Sequence, residues 1–241
     1  MFYTFFLYNN YMNSFLYSFK SILHKYKACF ALFFLILLLP FFACQKQVDF
    51  FTYVSELRDN IFLAQQGEFS LQIYSMEKEY PYETDGIKMQ TSRLTEIRFF
   101  APSGDKDCHI SFQLNGQQQG GDMSYDNVKA QYYYSCPLDV SKFTEISCCV
   151  DYGKTTLEFL AKSVKTQTTI TPKNALQIVQ EEETELFKGM TDKYGFSGEI
   201  YLRLIYEENP YYYVGIIDRN GKVNAFLLNA ESGKILAKRQ I

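Results

Sequence analysis

The chain has 241 residues and a formal net charge of −3, from 24 basic and 27 acidic residues. It has no basic patch with interleaved aromatic residues, and its charge is acidic, so the composition excludes a nucleic-acid partner. Twenty tyrosines and 22 phenylalanines without any tryptophan predict a strand-rich chain, because aromatic side chains suit pleated surfaces.

The first 43 residues predict an export signal peptide. An apolar run at 28–43 follows three lysines, and no acidic residue precedes Asp49. The run is shorter than the about 20 residues that a membrane-spanning helix needs. A cleaved signal is therefore favoured, with either Met1 or Met12 as the start. Without this leader the remaining chain carries a formal charge of −6.

The end of the leader resembles the bacterial lipobox, in which a cysteine receives a diacylglyceryl group and becomes the first residue of the mature chain. Ala43 suits its place before Cys44, whereas Phe41 and Phe42 are bulkier than the usual residues. The resemblance implies lipidation at Cys44, which would hold the protein at the extracytoplasmic face of the cell membrane. An uncleaved anchor and simple secretion are the alternatives.

Residues 44–67 are predicted to form an anchor segment followed by a short helix. Apolar side chains at Val54, Leu57 and Ile61 repeat every three or four positions, which is the spacing of one helical stripe. This spacing predicts an amphipathic helix over 54–66.

Residues 68–164 are predicted to form an immunoglobulin-like antiparallel β-sandwich. From Phe69 onward apolar and polar side chains alternate with a period of two, which indicates a half-buried strand. Turn-forming stretches separate the later apolar runs, and 117–121 is interpreted as a flexible loop. The later predicted strands are 94–100, 108–114, 130–135, 145–150 and 155–162.

Residues 165–241 are predicted to combine one helix with a sheet. Thr171 can cap a helix that begins at Pro172, where a missing N–H costs nothing. Asn220-Gly221 predicts a tight hairpin turn with positive φ at both central positions. The predicted strands are 199–206, 211–217, 223–229 and 234–238.

This C-terminal segment resembles the PepSY-like domain of bacterial extracytoplasmic proteins. The motifs that carry the resemblance are Ala175-Leu176, Tyr213-Val214-Gly215-Ile216, Gly221-Lys222 and Asn229-Ala230-Glu231-Ser232-Gly233-Lys234. Asn229 stands where that family usually has Asp. The resemblance implies one helix packed on an antiparallel sheet, so the predicted fold class is α+β, and it implies modulation of a peptidase. As a whole, the chain is similar to uncharacterised lipoproteins of low-GC Gram-positive bacteria.

Four cysteines lie in the predicted folded part, namely Cys108, Cys136, Cys148 and Cys149. Outside the cytoplasm they could form disulfides, and the three connectivities of two bonds remain open. Adjacent residues on a strand point to opposite faces, so either Cys148 or Cys149 is expected to be a small buried side chain. Because no CxxC pair is present, no metal site is predicted.

The folded part has a single histidine, His109, on which a nucleophilic site would have to be built. Its neighbour Cys108 would face the opposite side of a strand and could not easily share a proton with it. The acidic run at 181–185 is interpreted as a solvated helix face. The chain is therefore predicted not to be an enzyme and to use no cofactor.

Two runs of three tyrosines are the best candidates for a binding surface. Alternation along a strand would expose part of each run, and amphipathic rings suit contact with a peptide or a sugar. The candidate residues are Tyr132, Tyr134, Tyr211 and Tyr213, with cross-strand packing of the rings as the alternative.

Together these features predict a membrane-anchored extracytoplasmic lipoprotein that serves as a non-catalytic binding module of the cell envelope. Its expected partners are the membrane, through the lipid on Cys44, and an envelope protein or peptide of unknown identity. The alternative function is modulation or inhibition of an extracytoplasmic peptidase through the PepSY-like domain.

Overall fold

The computed structural model describes residues 48–80 and 85–240. The predicted signal peptide and the predicted lipidation site at Cys44 lie outside these residues. The chain divides into two compact units, Met1–Val48 and Asp49–Ile241, and the account below concerns the second unit.

The described residues form fifteen strands, two α-helices and one 3-10 helix, Phe50–Tyr53. The strands of the first two thirds are β1 (Val54–Gln66), β2 (Phe69–Glu79), β3 (Thr91–Phe100), β4 (Cys108–Leu114), β5 (Gln117–Asp122), β6 (Ser124–Asp126), β7 (Gln131–Cys136), β8 (Glu145–Tyr152) and β9 (Thr155–Ser163). The later elements are α1 (Pro172–Glu182), α2 (Thr184–Gly189), β10 (Thr191–Asp192), β11 (Gly195–Phe196), β12 (Gly198–Tyr206), β13 (Pro210–Asp218), β14 (Val223–Asn229) and β15 (Ile235–Gln240).

Thirteen of these strands belong to one sheet that branches at β1. One path runs in the order β15-β14-β13-β12-β1-β2-β3-β7-β6, and a second path leaves β1 through β9, β8, β4 and β5. The two paths curl toward each other, so this part of the sheet is nearly closed and barrel-like. The remaining strands, β10 and β11, pair only with each other.

Strand β1 is the centre of the fold because it pairs with three other strands. It is antiparallel to β2 and β9, whereas its first half is parallel to β12, with Leu57 opposite Leu202. The register with β2 shifts between Arg58 and Asn60, which is the signature of a β-bulge. The Asn60 side chain fills this irregularity: its amide donates to the carbonyls of Ser141 and Phe143, each at 3.3 Å.

The nearly closed part of the sheet encloses an aromatic and aliphatic core contributed by β1 to β4 and β7 to β9. Phe99 lies at its centre, fully buried, with its ring 5.9–6.1 Å from four other rings. These rings belong to Phe69, Tyr132, Tyr152 and Phe159. The Phe69 ring is stacked on that of Phe99 and the other three are tilted or edge-on, and contacts of these kinds add to the gain from burying apolar area.

The C-terminal strands bury a second apolar layer against α1. Helix α1 lies against β12 and β13, and the side chains it buries are those of Ala175, Leu176 and Val179. Thr171 caps the helix by accepting the Asn174 N–H at 3.1 Å. Thus the predicted Thr-Pro start of this helix is confirmed.

The predicted fold class is wrong. The structure is mostly antiparallel β, with 57% strand and 11% helix, in a nearly closed, barrel-like sheet, so it is not an α+β fold that joins an immunoglobulin-like β-sandwich to a PepSY-like domain. The sheet also runs without interruption from β1 into β12, because the two strands are hydrogen-bonded neighbours.

The amphipathic helix predicted over 54–66 is also wrong, because these residues form the 13-residue strand β1. Eight of its residues are buried, on both faces, and a strand of that kind lacks the clean alternation that reveals strands in a sequence. The stretch at 117–121 is likewise part of strand β5 rather than a flexible loop.

The positions of the other predicted strands are confirmed to within a few residues. The hairpin turn at Asn220-Gly221 differs from its prediction, because only Gly221 has positive φ. The Gly221 N–H donates to the Asp218 carbonyl at 3.0 Å, and the Asp218 N–H donates to the Lys222 carbonyl. The turn with positive φ at both central positions is Asn115-Gly116, between β4 and β5.

Candidate binding surface

One face of the sheet brings arginine, lysine, glutamate and tyrosine side chains together across five neighbouring strands. Directly opposed residues on paired strands share a face, and the register aligns Glu56 with Lys78 and Tyr201, and Arg58 with Arg203. We call this surface the arginine-tyrosine face. Its residues are Glu56 and Arg58 of β1, Tyr74 and Lys78 of β2, Glu96 and Arg98 of β3, Tyr201 and Arg203 of β12, and Tyr213 of β13.

Arg203 is held on this face by a carboxylate and by two aromatic rings. Its Nε donates to Glu56 Oε1 at 2.7 Å and its Nη2 donates to the other oxygen, so the pair is bidentate. The guanidinium carbon lies 4.6 Å from the centroid of the Tyr201 ring and 5.8 Å from that of Tyr213. These contacts fix the guanidinium in one place on the sheet.

Glu96 neutralises much of the positive charge at the other end of the face. It accepts a hydrogen bond from Lys78 Nζ at 2.9 Å and one from Arg98 Nη2 at 3.3 Å. Burial opposes ionisation, but the bond from Lys78 and the charges of both cations prevail and lower the pKa of Glu96. Burial likewise opposes the charge on Lys78, whereas the bond to Glu96 raises its pKa. Both charges are therefore maintained near neutral pH.

Two arginines share the ring of Tyr74. The guanidinium carbons of Arg58 and Arg98 lie 4.7 and 4.5 Å from its centroid, and its hydroxyl donates to Gln72 at 2.6 Å. The Nε atoms of both arginines are buried and have no hydrogen-bond partner within the part of the chain that the structure describes. Desolvation lowers the pKa of Arg58, and it outweighs the opposing effect of the Glu56 carboxylate, while the like charges of Arg203 and Arg98 add to the lowering. Four cations thus face two carboxylates on a chain whose folded part is acidic overall.

The four tyrosines predicted as a binding surface lie in different places. Tyr132 is 1% exposed and belongs to the core, with its hydroxyl donating to the Lys106 carbonyl at 2.7 Å. Tyr134 packs against the same core and donates to the Gly120 carbonyl. Tyr211 and Tyr213 are half-buried and alternate along β13 with a fully buried tyrosine. Of the four, Tyr213 is the one that contacts Arg203.

The four cysteines of the described chain are free thiols. Cys108 and Cys148 belong to the core of the nearly closed sheet, where burial raises the pKa of each thiol to about 12. Cys149 is half-buried and lies on the opposite face of β8, as the alternation of a strand requires. Cys136 is half-buried at the end of β7, where burial raises its pKa as well. Thiols of this kind are poor nucleophiles.

His109 lies on the outer side of β4, with its Nδ1 2.8 Å from Asp122 Oδ1. Its neighbour Cys108 points into the core, so the two side chains lie on opposite faces of the strand. In the described part of the chain no group of three or more His, Cys, Asp or Glu residues could hold a metal ion. None of the described helices is long and apolar enough to cross a membrane.

Two carboxylates are buried where the segment after residue 84 contacts the sheet, and one of them, Glu199, also accepts from the Tyr201 hydroxyl at 3.5 Å. Glu79 accepts the Met89 N–H, and Glu199 accepts the Gly86 N–H at 3.4 Å. Burial is the main cause that raises the pKa of each, and each feels a neighbouring carboxylate. The second oxygen of Glu199 has no hydrogen-bond partner. These groups hold the segment after residue 84 against the sheet through backbone donors.

Comparison with known proteins gives no match to a family model, to a curated protein or to a solved structure. The residues of the arginine-tyrosine face other than Tyr213 were missed by sequence reasoning. One signal was available: two of the six arginines, Arg98 and Arg203, lie in predicted strands, each two positions after an acidic or aromatic residue. That these strands belong to one sheet could not be read from the sequence.

Proposed function

We propose that this protein is a non-catalytic binding protein of the cell envelope, which uses the arginine-tyrosine face to contact a protein or peptide partner. The observation that carries the proposal is the clustering of three of the six arginines and three tyrosines on one face of one sheet. Arginine and tyrosine are enriched where proteins bind one another.

The side chains on this face are held in place before a partner arrives. Ion pairs and ring contacts restrain Arg203, Lys78 and Arg98, yet each keeps 26–30% of its side chain exposed. Binding to restrained side chains costs less conformational entropy than binding to mobile ones. The charged side chains of this face are therefore both accessible to a partner and restrained in position, which favours a role in recognition over a purely structural role.

The proposed location is the extracytoplasmic side of the cell membrane, with a lipid on Cys44 as the anchor. Support comes from the leader, with its lysines, its apolar run and the Ala43-Cys44 pair. Mass spectrometry of the mature N-terminus tests this directly. We expect a diacylated Cys44, and recovery of a chain that still begins at Met1 or Met12 would contradict it.

The binding role can be tested by affinity capture of partners from envelope extract with the tagged full-length chain. We expect Tyr213→Ala and Arg98→Ala to reduce recovery of a specific partner several-fold. Tyr194→Ala is the matched control, because Tyr194 is 85% exposed and lies outside the face. Equal recovery by all variants, or no specific partner at all, would refute the proposal.

A second candidate is modulation of an extracytoplasmic peptidase, and the outer edge of β15 favours it. No strand of the described chain pairs with that edge, and a groove of about 470 Å³ lies between it and α1. An extended peptide can add to such an edge as a further strand. The groove is lined by Ile178, Glu182 and residues 233–238.

Surface peptidase assays with saturating full-length chain test this second candidate. We expect altered rates that Leu236→Asp in the groove abolishes and Leu160→Asp does not. The two leucines are 48% and 46% exposed, so the substitutions are closely matched. Unchanged rates with the native chain would reject the idea.

A further inference from the structure

We infer that Arg58, with Arg98 beside it, is the receptor for a carboxylate group on an acidic segment of the partner. This inference rests on the proposed function, since it assigns a chemistry to the same face. It is carried by Arg58, the one of the four cations of the face that forms no ion pair with a carboxylate among the described residues.

The other cations of the arginine-tyrosine face already hold carboxylates. Arg203 takes both oxygens of Glu56, while Lys78 and Arg98 share Glu96. Arg58 is in contact with the Tyr74 ring, and its Nε donates to no group of the described residues. The neighbouring carboxylate of Asp59 is bound by Arg93 Nη1 at 2.6 Å. One guanidinium therefore remains unmatched.

Leaving Arg58 unmatched is costly for the protein alone. Removing a charge from water without a bonded partner carries a free-energy cost, which the nearby Glu56 carboxylate offsets only in part because two further guanidinium groups repel the charge of Arg58. A negative group placed over Arg58 would replace the lost hydration and screen it from Arg203 and Arg98. Binding of an anion thus offsets the free-energy cost of the unpaired Arg58, so the face binds negatively charged groups in preference to neutral ones.

A carboxylate fits better than other groups for two reasons. Guanidinium donors match the two oxygens of a carboxylate in one plane, and Arg203 already binds Glu56 in this way on the next strand. The buried rings of Tyr74 and Tyr201 hold the arginines in place, and the half-buried ring of Tyr213 adds amphipathic area beside them, which suits a peptide chain. We therefore assign the occupant as an acidic peptide rather than a free ion.

Nuclear magnetic resonance can test the inference residue by residue, because each of the six arginines gives one Nε–Hε signal. The probes are a capped peptide of six glutamates, its glutamine counterpart and inorganic phosphate, each added to ¹⁵N-labelled full-length chain in detergent. We expect saturable shifts of the Arg58 and Arg98 signals with the glutamate peptide only, while the Arg219 signal stays unchanged. Arg219 is exposed in the turn between β13 and β14.

Variants separate a binding role from a structural one. Arg58→Gln should weaken binding of the glutamate peptide about tenfold or more, as loss of a charge-assisted contact implies. Arg58→Lys should recover only part of it, because the ammonium group lacks the planar fork. Arg219→Gln is the matched control, and an unchanged signal of Arg93, which is bound by Asp59, shows that the fold is intact.

Three results would overturn the inference. Shifts with phosphate but not with the peptide would assign the site to another anion, and equal shifts with the glutamine peptide would remove the role of charge. Full binding of the glutamate peptide by Arg58→Gln would remove the role of this residue. If Tyr213→Ala abolishes partner capture but Arg58→Gln does not, this inference fails while the proposed function stands.

Discussion

Replacing Leu202 with alanine should destabilise the whole unit from Asp49 onward, not the C-terminal strands alone. Leu202 is fully buried in β12, directly opposite Leu57 of β1. Truncating a buried leucine costs 2–5 kcal/mol, so about 3 kcal/mol is expected. For a unit of this size 1 kcal/mol lowers the melting temperature by about 2–4 °C. The expected fall is therefore about 6–12 °C.

The same transition should respond to a change in the other part of the core. Ile97 is fully buried in β3. Ile97→Ala should lower the melting temperature of the same transition by a similar amount, because β1 pairs both with strands of the nearly closed part of the sheet and with β12. Calorimetry of the full-length chain, with Leu160→Ala as a surface control, measures both effects. Two separate transitions, each shifted by only one of the variants, would refute the reasoning that β1 couples the unit.

Three further predictions concern local features. Thr171→Ala should cost about 1 kcal/mol in urea denaturation through loss of the helix cap, whereas Thr171→Ser should cost little. Because burial raises the pKa of Glu199, its protonation stabilises the fold fully below the unfolded pKa, and that stabilisation is lost as pH rises through the folded pKa. Glu199→Gln should therefore gain stability over the native chain near about pH 8 and much less near about pH 4, and an equal difference at both would contradict this. Alkylation followed by mass spectrometry should modify Cys149 before Cys108 and Cys148, which burial protects until unfolding; early labelling of all three would be the contrary result.

Strands could be predicted from the sequence where one of their faces is exposed to solvent and the other is buried. Strand β4 alternates buried and exposed residues, and its bounds were predicted to the residue. Strand β1 could not be recognised in the same way, because it is buried on both faces and a bulge at Arg58–Asn60 breaks its period of two. Its misassignment as a helix also hid the link between the two halves of the chain.

The arginine-tyrosine face was beyond sequence reasoning for a related reason. Arg203 and Glu56 are 147 positions apart, and only the parallel pairing of β1 with β12 brings them together. A parallel neighbour leaves no turn signal in the sequence, since its two strands are not joined by a hairpin. The tyrosine runs were visible, but which rings lie in the core depended on strand pairing that residue order does not reveal.

The parallel contact between β1 and β12 has a consequence for how the chain acquires its shape. The first strand to leave the ribosome meets its last neighbour only after more than a hundred further residues have been synthesised, and until then one of its backbone edges is open. Contacts of such long range slow folding and leave intermediates prone to aggregation. Maturation of this protein should therefore depend on a chaperone that shields a bare strand edge, and premature termination anywhere before Gly198 should leave a product that cells degrade.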